Sequence, residues 1–202
     1  MSISKPILMI HEIREDVFKL PLDQYVLTFD DGLFGQYAYL EKILKINTTK
    51  YFFISTNIIC PENTSQNQHL LKCREAHERF FNNGDLTNYM KWGQIKEISK
   101  EKNCHIGGHS HRHQKYDLGK IGLRKLFDEL TIDTNKMISS FRENDLDIKS
   151  FCFPYNKEYP LYKEILRKNQ ITLFFGNERI PVENLLESTN NAKDKHPCWP
   201  SN

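Results

Sequence analysis

The sequence predicts an α/β fold in which parallel strands are flanked by outer helices. Two observations carry that reading. Short β-favouring apolar runs alternate along the chain with segments whose apolar residues recur every three or four positions. This βαβα order implies parallel strands, in either a barrel or an open sheet. Finally, the chemically distinctive groups Asp30-Asp31, His109 and Pro154-Tyr155 each fall just after a predicted strand, and barrels gather functional residues at the C-terminal ends of their strands.

The elements follow in order. Residues 7–10 read as a first short strand and 25–29 as a second, closed by the turn glycine Gly32. A helix is predicted over 36–46 from the spacing of Tyr39, Leu40, Ile43 and Leu44, and the aromatic run 51–55 follows as a strand. Trp92, Ile95 and Ile98 mark a helix over 92–100, before a strand at 104–107. The clearest helix has Leu123, Leu126, Phe127, Leu130, Thr134, Met137, Ile138 and Phe141 on one stripe. A strand at 150–153, a helix at 161–168 and a strand at 171–175 complete the pattern. Two regions break it. Residues 57–90 are polar and irregular, with one amphipathic stretch (Leu70, Leu71, His77, Phe80, Phe81), and read as a loop or lid inserted at the mouth of the fold. Residues 183–202 read as a weakly ordered polar tail, so the domain proper is taken as 1–182.

Composition narrows the function. At 202 residues the chain fits one domain with a real core, and 39% hydrophobic with 27% charged residues suits a globular protein. A net charge of +2 with scattered Lys and Arg gives no nucleic-acid footprint. Five separated cysteines without a CxxC pair suggest neither a disulfide framework nor a zinc ribbon, and Cys104 and Cys152 read as buried apolar positions. The apolar run ending at Ile10 is too short for a secretory or membrane-spanning segment, which makes the cytoplasm the expected compartment.

Two clusters carry chemistry. Adjacent acids at the end of a strand can divide their labour, one holding a cation and the other moving protons; the plainer reading of Asp30-Asp31-Gly32 is a turn. In His109-Ser110-His111-Arg112-His113, the outer histidines are four apart, so in a helical turn both face one ion while His111 points away. Two histidines and one carboxylate leave coordination positions open, as catalytic sites do. Gly107-Gly108 permits close backbone approach just before them.

Thr28-Phe29-Asp30-Asp31-Gly32, then His109-Ser110-x-x-His113, then Phe153-Pro154-Tyr155 resemble, in that order, the first three motifs of the NodB-homology polysaccharide deacetylases. The likeness runs over about 7–182, leaving out 57–90. The resemblance implies a distorted, incomplete (β/α) barrel. It also implies that Asp31, His109 and His113 are metal ligands, with zinc the expected ion and cobalt or nickel also suited to such a site. Asp30 would be the general base acting on water, the backbone N–H of Tyr155 an oxyanion donor, and Pro154 and Tyr155 part of the groove wall. There are departures. Cys152 stands where the commonest members carry a base-orienting arginine, the aspartate-tryptophan motif is absent, and the late Leu-x-His motif has no match, His196 being the only late histidine. The run Ile7 to Ile13 resembles the first strand of exopolysaccharide-type members, in which a histidine closing that strand is the proposed acid; this nominates His11 as the general acid. Arg179 is the candidate for the missing orienting cation, with a surface salt bridge as its alternative.

The function expected from this resemblance is metal-dependent removal of an acetyl group, N-acetyl favoured, from a sugar or glycan, in surface polysaccharide biosynthesis. Two alternatives stand beside it. One is hydrolysis of a non-carbohydrate amide on the same scaffold; the other is a non-catalytic, metal-containing carbohydrate-binding module. No membrane span is expected, and the apolar side of the 70–81 stretch makes an oligomer an expectation.

Overall fold

The computed structural model describes residues 5–117 and 119–193. Its strands are β1 (Ile7–Ile10), β2 (Val26–Phe29), β3 (Lys50–Ile54), β4 (Cys104–Gly108), β5 (Ser150–Cys152), β6 (Leu173–Phe175) and β7 (Ile180–Pro181). The helices are α1 (Phe34–Ala38), α2 (Leu40–Leu44), α3 (Cys73–Asn83), α4 (Trp92–Lys100), α5 (Leu123–Glu143), α6 (Pro160–Lys168) and α7 (Val182–Lys193). The strands form one sheet in the order β6-β5-β4-β3-β2-β1-β7, and every pairing is parallel.

Strand alternation divides this sheet's side chains between two layers. Leu8, Ile10, Leu27, Phe29, Phe52 and Ile54 join the main core beneath the helices, whereas Ile7, Val26, Phe53, Cys152 and Phe175 cluster on the other face. Phe53 on β3 and Phe175 on β6 have ring centroids only 4.9 Å apart although two strands separate them in the sheet. The sheet is therefore curled into a half-barrel, with Ile7, Val26, Phe53 and Phe175 filling its inside. Strand β7 extends the β1 edge, and β6 ends the other, so the barrel is incomplete.

Four expectations change. The helix expected over 36–46 is two short helices meeting at Tyr39 (φ −99°, ψ 13°). Buried Gln36 ties the first of them to the site by donating to the carbonyls of Asp30 (2.6 Å) and His11 (2.9 Å). On α5 the buried stripe begins at Leu126, while Leu123 and Phe127 are exposed. The expected tail starts instead as α7, whose Leu186 packs into the core; its remainder, with His196, lies outside the described residues. The 57–90 segment contains α3, whose Ala76 and Phe80 pack, together with Leu71 just before the helix, against Leu33, Ile58 and Tyr89, so much of the apolar side of this stretch is covered. Among the described residues, no helix is long and apolar enough to cross a membrane.

Candidate active site

The site lies where β1, β2, β4 and β5 end. Parallel register sets Ile10 beside Phe29, so the next residues of the two strands, His11 and Asp30, meet at the rim; the Asp30 N–H donates to the Ile10 carbonyl at 3.0 Å. Asp30 stays in phase with Val26 and Thr28 and points into the barrel. Asp31 turns away because its backbone is left-handed (φ 71°), followed by Gly32 at φ 70°. Both carboxylates are almost wholly buried.

His109 and His113 converge without a helix. They sit on a loop after β4 in which Ser110 (φ 67°) and His113 (φ 51°) are both left-handed, which corrects the helical-turn expectation. Such backbone persists only where its surroundings hold it. Here the Ser110 hydroxyl accepts the His113 N–H at 2.9 Å. Asp133, buried on α5, accepts the N–H groups of His111 (2.8 Å) and Arg112 (3.0 Å) and the Arg112 guanidinium. His111 turns away toward Thr56, as expected. The two glycines before the loop allow close contact: a Cβ on Gly107 would lie 2.5 Å from Ser150 Oγ, and one on Gly108 would lie 2.5 Å from Met137 Sδ.

The result is a triangle of electron-pair donors. Asp31 Oδ1 lies 3.2 Å from His109 Nε2 and 3.1 Å from His113 Nε2, and the two nitrogens are 3.2 Å apart. His109 Nδ1 lies 2.8 Å from the Cys152 carbonyl; donating there leaves the Nε2 lone pair facing the triangle. Asp31 Oδ1 is buried without a hydrogen-bond donor. Donors at ~2.0–2.2 Å from one ion stand roughly 3.3 Å apart at tetrahedral angles. The residues present therefore fit a small divalent cation. Burial works against charge on Asp31, but the imidazoles of His113 and His109 outweigh it and hold the carboxyl well below its ordinary range.

Arg179, just before β7, reaches the other acid. Its Nη1 lies 2.7 Å from Asp30 Oδ1 and 3.1 Å from Thr28 Oγ1, and its Nη2 lies 2.7 Å from Asn156 Oδ1. The guanidinium is buried, not the surface salt bridge of the alternative reading. Burial pushes Asp30 upward, yet the charges of Arg179, His109 and His11 keep it ionised below its usual range. On the opposite side, Cys152 Sγ approaches Asp30 Oδ2 at 3.6 Å, and burial raises that thiol well above its ordinary value. His11 Nε2 stands 3.8 Å from Asp30 Oδ2 and 3.9 Å from Asp31 Oδ2, with about a third of its side chain exposed. Tyr155, left-handed at φ 56° in the turn after β5, half exposes its ring and stacks obliquely on His113. Pro154 opens that turn and is buried beneath it.

Residues 20–174 match the sequence model of the polysaccharide deacetylase family. The chain belongs to this family. No curated protein sequence matches it. Among solved structures, this family member is similar to IcaB from Ammonifex degensii, at 17% identity and a TM-score of 0.63, over 90% of this chain and 87% of that one. It is also similar to a de-N-acetylase from Aggregatibacter actinomycetemcomitans (12%, TM-score 0.62, 88% and 93%). A third such structure is the BpsB deacetylase domain from Bordetella bronchiseptica (14%, TM-score 0.62, 88% and 94%). At these identities the likeness speaks for the fold, the incomplete barrel of the NodB type, while the family match makes the chain a carbohydrate deacetylase by class.

Several residues around the deacetylase site were not singled out from sequence. Asp133 is hidden in the apolar stripe of α5, and Gln36 and Asn156 have ordinary helix and turn contexts. Cys73 and His77 come from the segment that breaks the βα rhythm; His77 is read there only as part of the amphipathic stretch, and the four-residue spacing of the pair is the one signal that points to a site.

Proposed function

We propose that this deacetylase hydrolyses the N-acetyl group of an amino-sugar unit in a glycan, using one divalent ion, most suitably zinc, on Asp31, His109 and His113. The observation that carries the reading is the division of the acid pair: Asp31 joins two imidazoles, while Asp30, one residue away, is ionised and fixed by Arg179. When bound, the cation supplies Lewis acidity toward water and the acetyl carbonyl. Asp30 takes one proton from the attacking water as its oxygen bonds to the acetyl carbon. Arg179 holds Asp30 in the anionic, aimed form that this step needs, the role that Cys152 cannot fill. His11, at the rim beside both carboxylates, gives a proton to the amine nitrogen as the C–N bond breaks. Acetate and a free amino sugar result. The backbone N–H of Tyr155 is assigned to the developing oxyanion.

Two open clefts support a glycan over a small enclosed amide. One, of about 630 Å³, is lined by His11, His77, Phe81 and Tyr155, and the other, of about 750 Å³, by His113, Phe80, Phe81 and Tyr155. The preference for N-acetyl draws on the de-N-acetylase neighbour, and surface polysaccharide biosynthesis is the proposed setting. The test is acetate release from acetylated amino-sugar oligomers by zinc-loaded protein. Chelation and His109→Ala should each abolish release, and Asp30→Asn should lower turnover by about 10²–10⁴-fold. No acetate from any such oligomer, together with an unchanged rate for Asp30→Asn on a surrogate ester, would overturn the reading.

A further inference from the structure

The helix α3 brings two more donors to the same aspartate. Cys73 and His77 are one turn apart and share a face. Cys73 Sγ lies 3.2 Å from Asp31 Oδ2, and His77 Nε2 lies 3.7 Å from that same oxygen. This is not the oxygen used by His109 and His113, which face Oδ1. The two halves of the carboxylate thus meet two different donor pairs.

The second set is built, not incidental. The Cys73 N–H donates to Glu12 Oε2 at 2.7 Å, which fixes the start of α3 against the loop after β1. The His77 ring packs between Tyr89 and Phe81 and lies 4.9 Å from the His113 ring. Its Nε2 is buried without a hydrogen-bond partner. A buried imidazole nitrogen left without a partner costs free energy that a bound ligand would recover. The donor atoms of Asp31, Cys73 and His77 all lie within 4.8 Å of one another, as do those of Asp31, His109 and His113. One carboxylate oxygen, one imidazole and one thiolate make a donor set suited to zinc.

We propose that Asp31, Cys73 and His77 form a second cation site, so that the Asp31 carboxylate bridges two ions and α3 becomes part of the metal centre. Two-metal catalytic sites hold their ions about 3.5–4 Å apart, a spacing that the two oxygens of one carboxylate can span. Binding at the second position takes the Cys73 proton into solvent and leaves sulfur coordinated as thiolate. The proposal rests on the reading of the first position given above, and its test separates the two.

Zinc is counted after exhaustive dialysis in the wild type, Cys73→Ser/His77→Ala and His109→Ala/His113→Ala, and cobalt is titrated into the wild-type apoprotein. Two equivalents are expected in the wild type and one in each double variant. The cobalt titration should develop a thiolate-to-cobalt charge-transfer band that saturates at a different equivalent from the imidazole-site d–d spectrum. A wild type that binds a single equivalent overturns the proposal, whether or not that ion carries the thiolate band. So does full zinc retention by Cys73→Ser/His77→Ala. Full retention by His109→Ala/His113→Ala would instead overturn the first site. The cobalt spectrum of the unaltered protein decides the matter even if a variant does not fold.

Discussion

Arg179 and Asp30 are 149 residues apart in sequence, yet the guanidinium Nη1 lies 2.7 Å from the carboxylate Oδ1 inside the half-barrel. The contact depends on β7, a two-residue strand whose pairing with β1 carries the residue before it to the barrel interior. The cation thereby approaches the base from the β7 edge, while the position on β5 is left to the Cys152 thiol.

If Arg179 positions the base, its loss should affect turnover more than binding. Arg179→Met is expected to reduce kcat by about 10²-fold, the lower end of what a general base contributes, with KM and zinc content unchanged. Arg179→Lys keeps the charge but not the fork that also holds Thr28 and Asn156, and should recover part of the loss. A merely structural arginine would instead lower the melting temperature and leave kcat per folded molecule intact. Steady-state acetate release with parallel thermal melts distinguishes them.

Asp133 should control the metal site without touching it. It gathers two backbone N–H groups of the His109–His113 loop and the Arg112 guanidinium. Asp133→Ala leaves two part-buried backbone N–H groups without their acceptor, at a cost of about 1–3 kcal/mol, while Arg112 keeps Glu129. The expected outcome is a lower urea midpoint and a 10–100-fold weaker zinc affinity, the usual cost of losing an outer-shell support. Competition with a chromophoric chelator measures the affinity. An unchanged value would remove Asp133 from the site's support.

The strands and the acid pair were legible because their signals are local. The runs ending at Phe29 and Ile54 are dense in β-favouring residues, Asp30-Asp31 stands immediately after the first, and the short run 104–107 leads into the histidine cluster. Trp92–Lys100 is legible to the residue because its apolar spacing is uninterrupted. What failed to show depends on tertiary contact. A two-residue strand such as β7 has no periodicity to detect, so nothing local placed Arg179 inside the barrel. The left-handed turns at Ser110 and His113 occur at residues without the glycine that announces such backbone. Neither the break at Tyr39 nor the Gln36 side chain's bond to the Asp30 carbonyl is a feature that helical spacing encodes.

Tyr155 and Phe81 should form the sugar platform. Both rings are substantially exposed, and both line the two clefts that flank the site. An aromatic face offers a pyranose ring apolar contact that a polar rim does not. Phe81→Ala is expected to raise KM for an acetylated oligomer several-fold with kcat little changed, and to have a smaller effect on a single-sugar substrate. Equal effects on both substrates would count against a platform that extends along the glycan.

Lys50 gives the fold a pH dependence away from the site. Its side chain is buried at the start of β3, with Nζ donating to the carbonyls of Ile46 (2.7 Å) and Thr48 (2.9 Å). Burial lowers its pKa from the ordinary 10.5, with the neighbouring Cys104 working in the opposite direction. The sign follows from proton counting. Between the lowered folded value and 10.5 the unfolded chain holds the proton more tightly, so stability contributed by this group rises with pH across that window. Below the window both states are charged and the contribution is constant; above it both are neutral. Lys50→Met removes the group while keeping a flexible stem of similar length. The stability of the wild type relative to Lys50→Met should therefore rise as the pH climbs from neutral toward 10.5, most of the other titrating groups, Tyr51 among them, cancelling in the difference. Urea midpoints of the two proteins over that range test it. A difference that stays flat or falls would mean that the folded chain holds the Lys50 proton at least as well as the unfolded one.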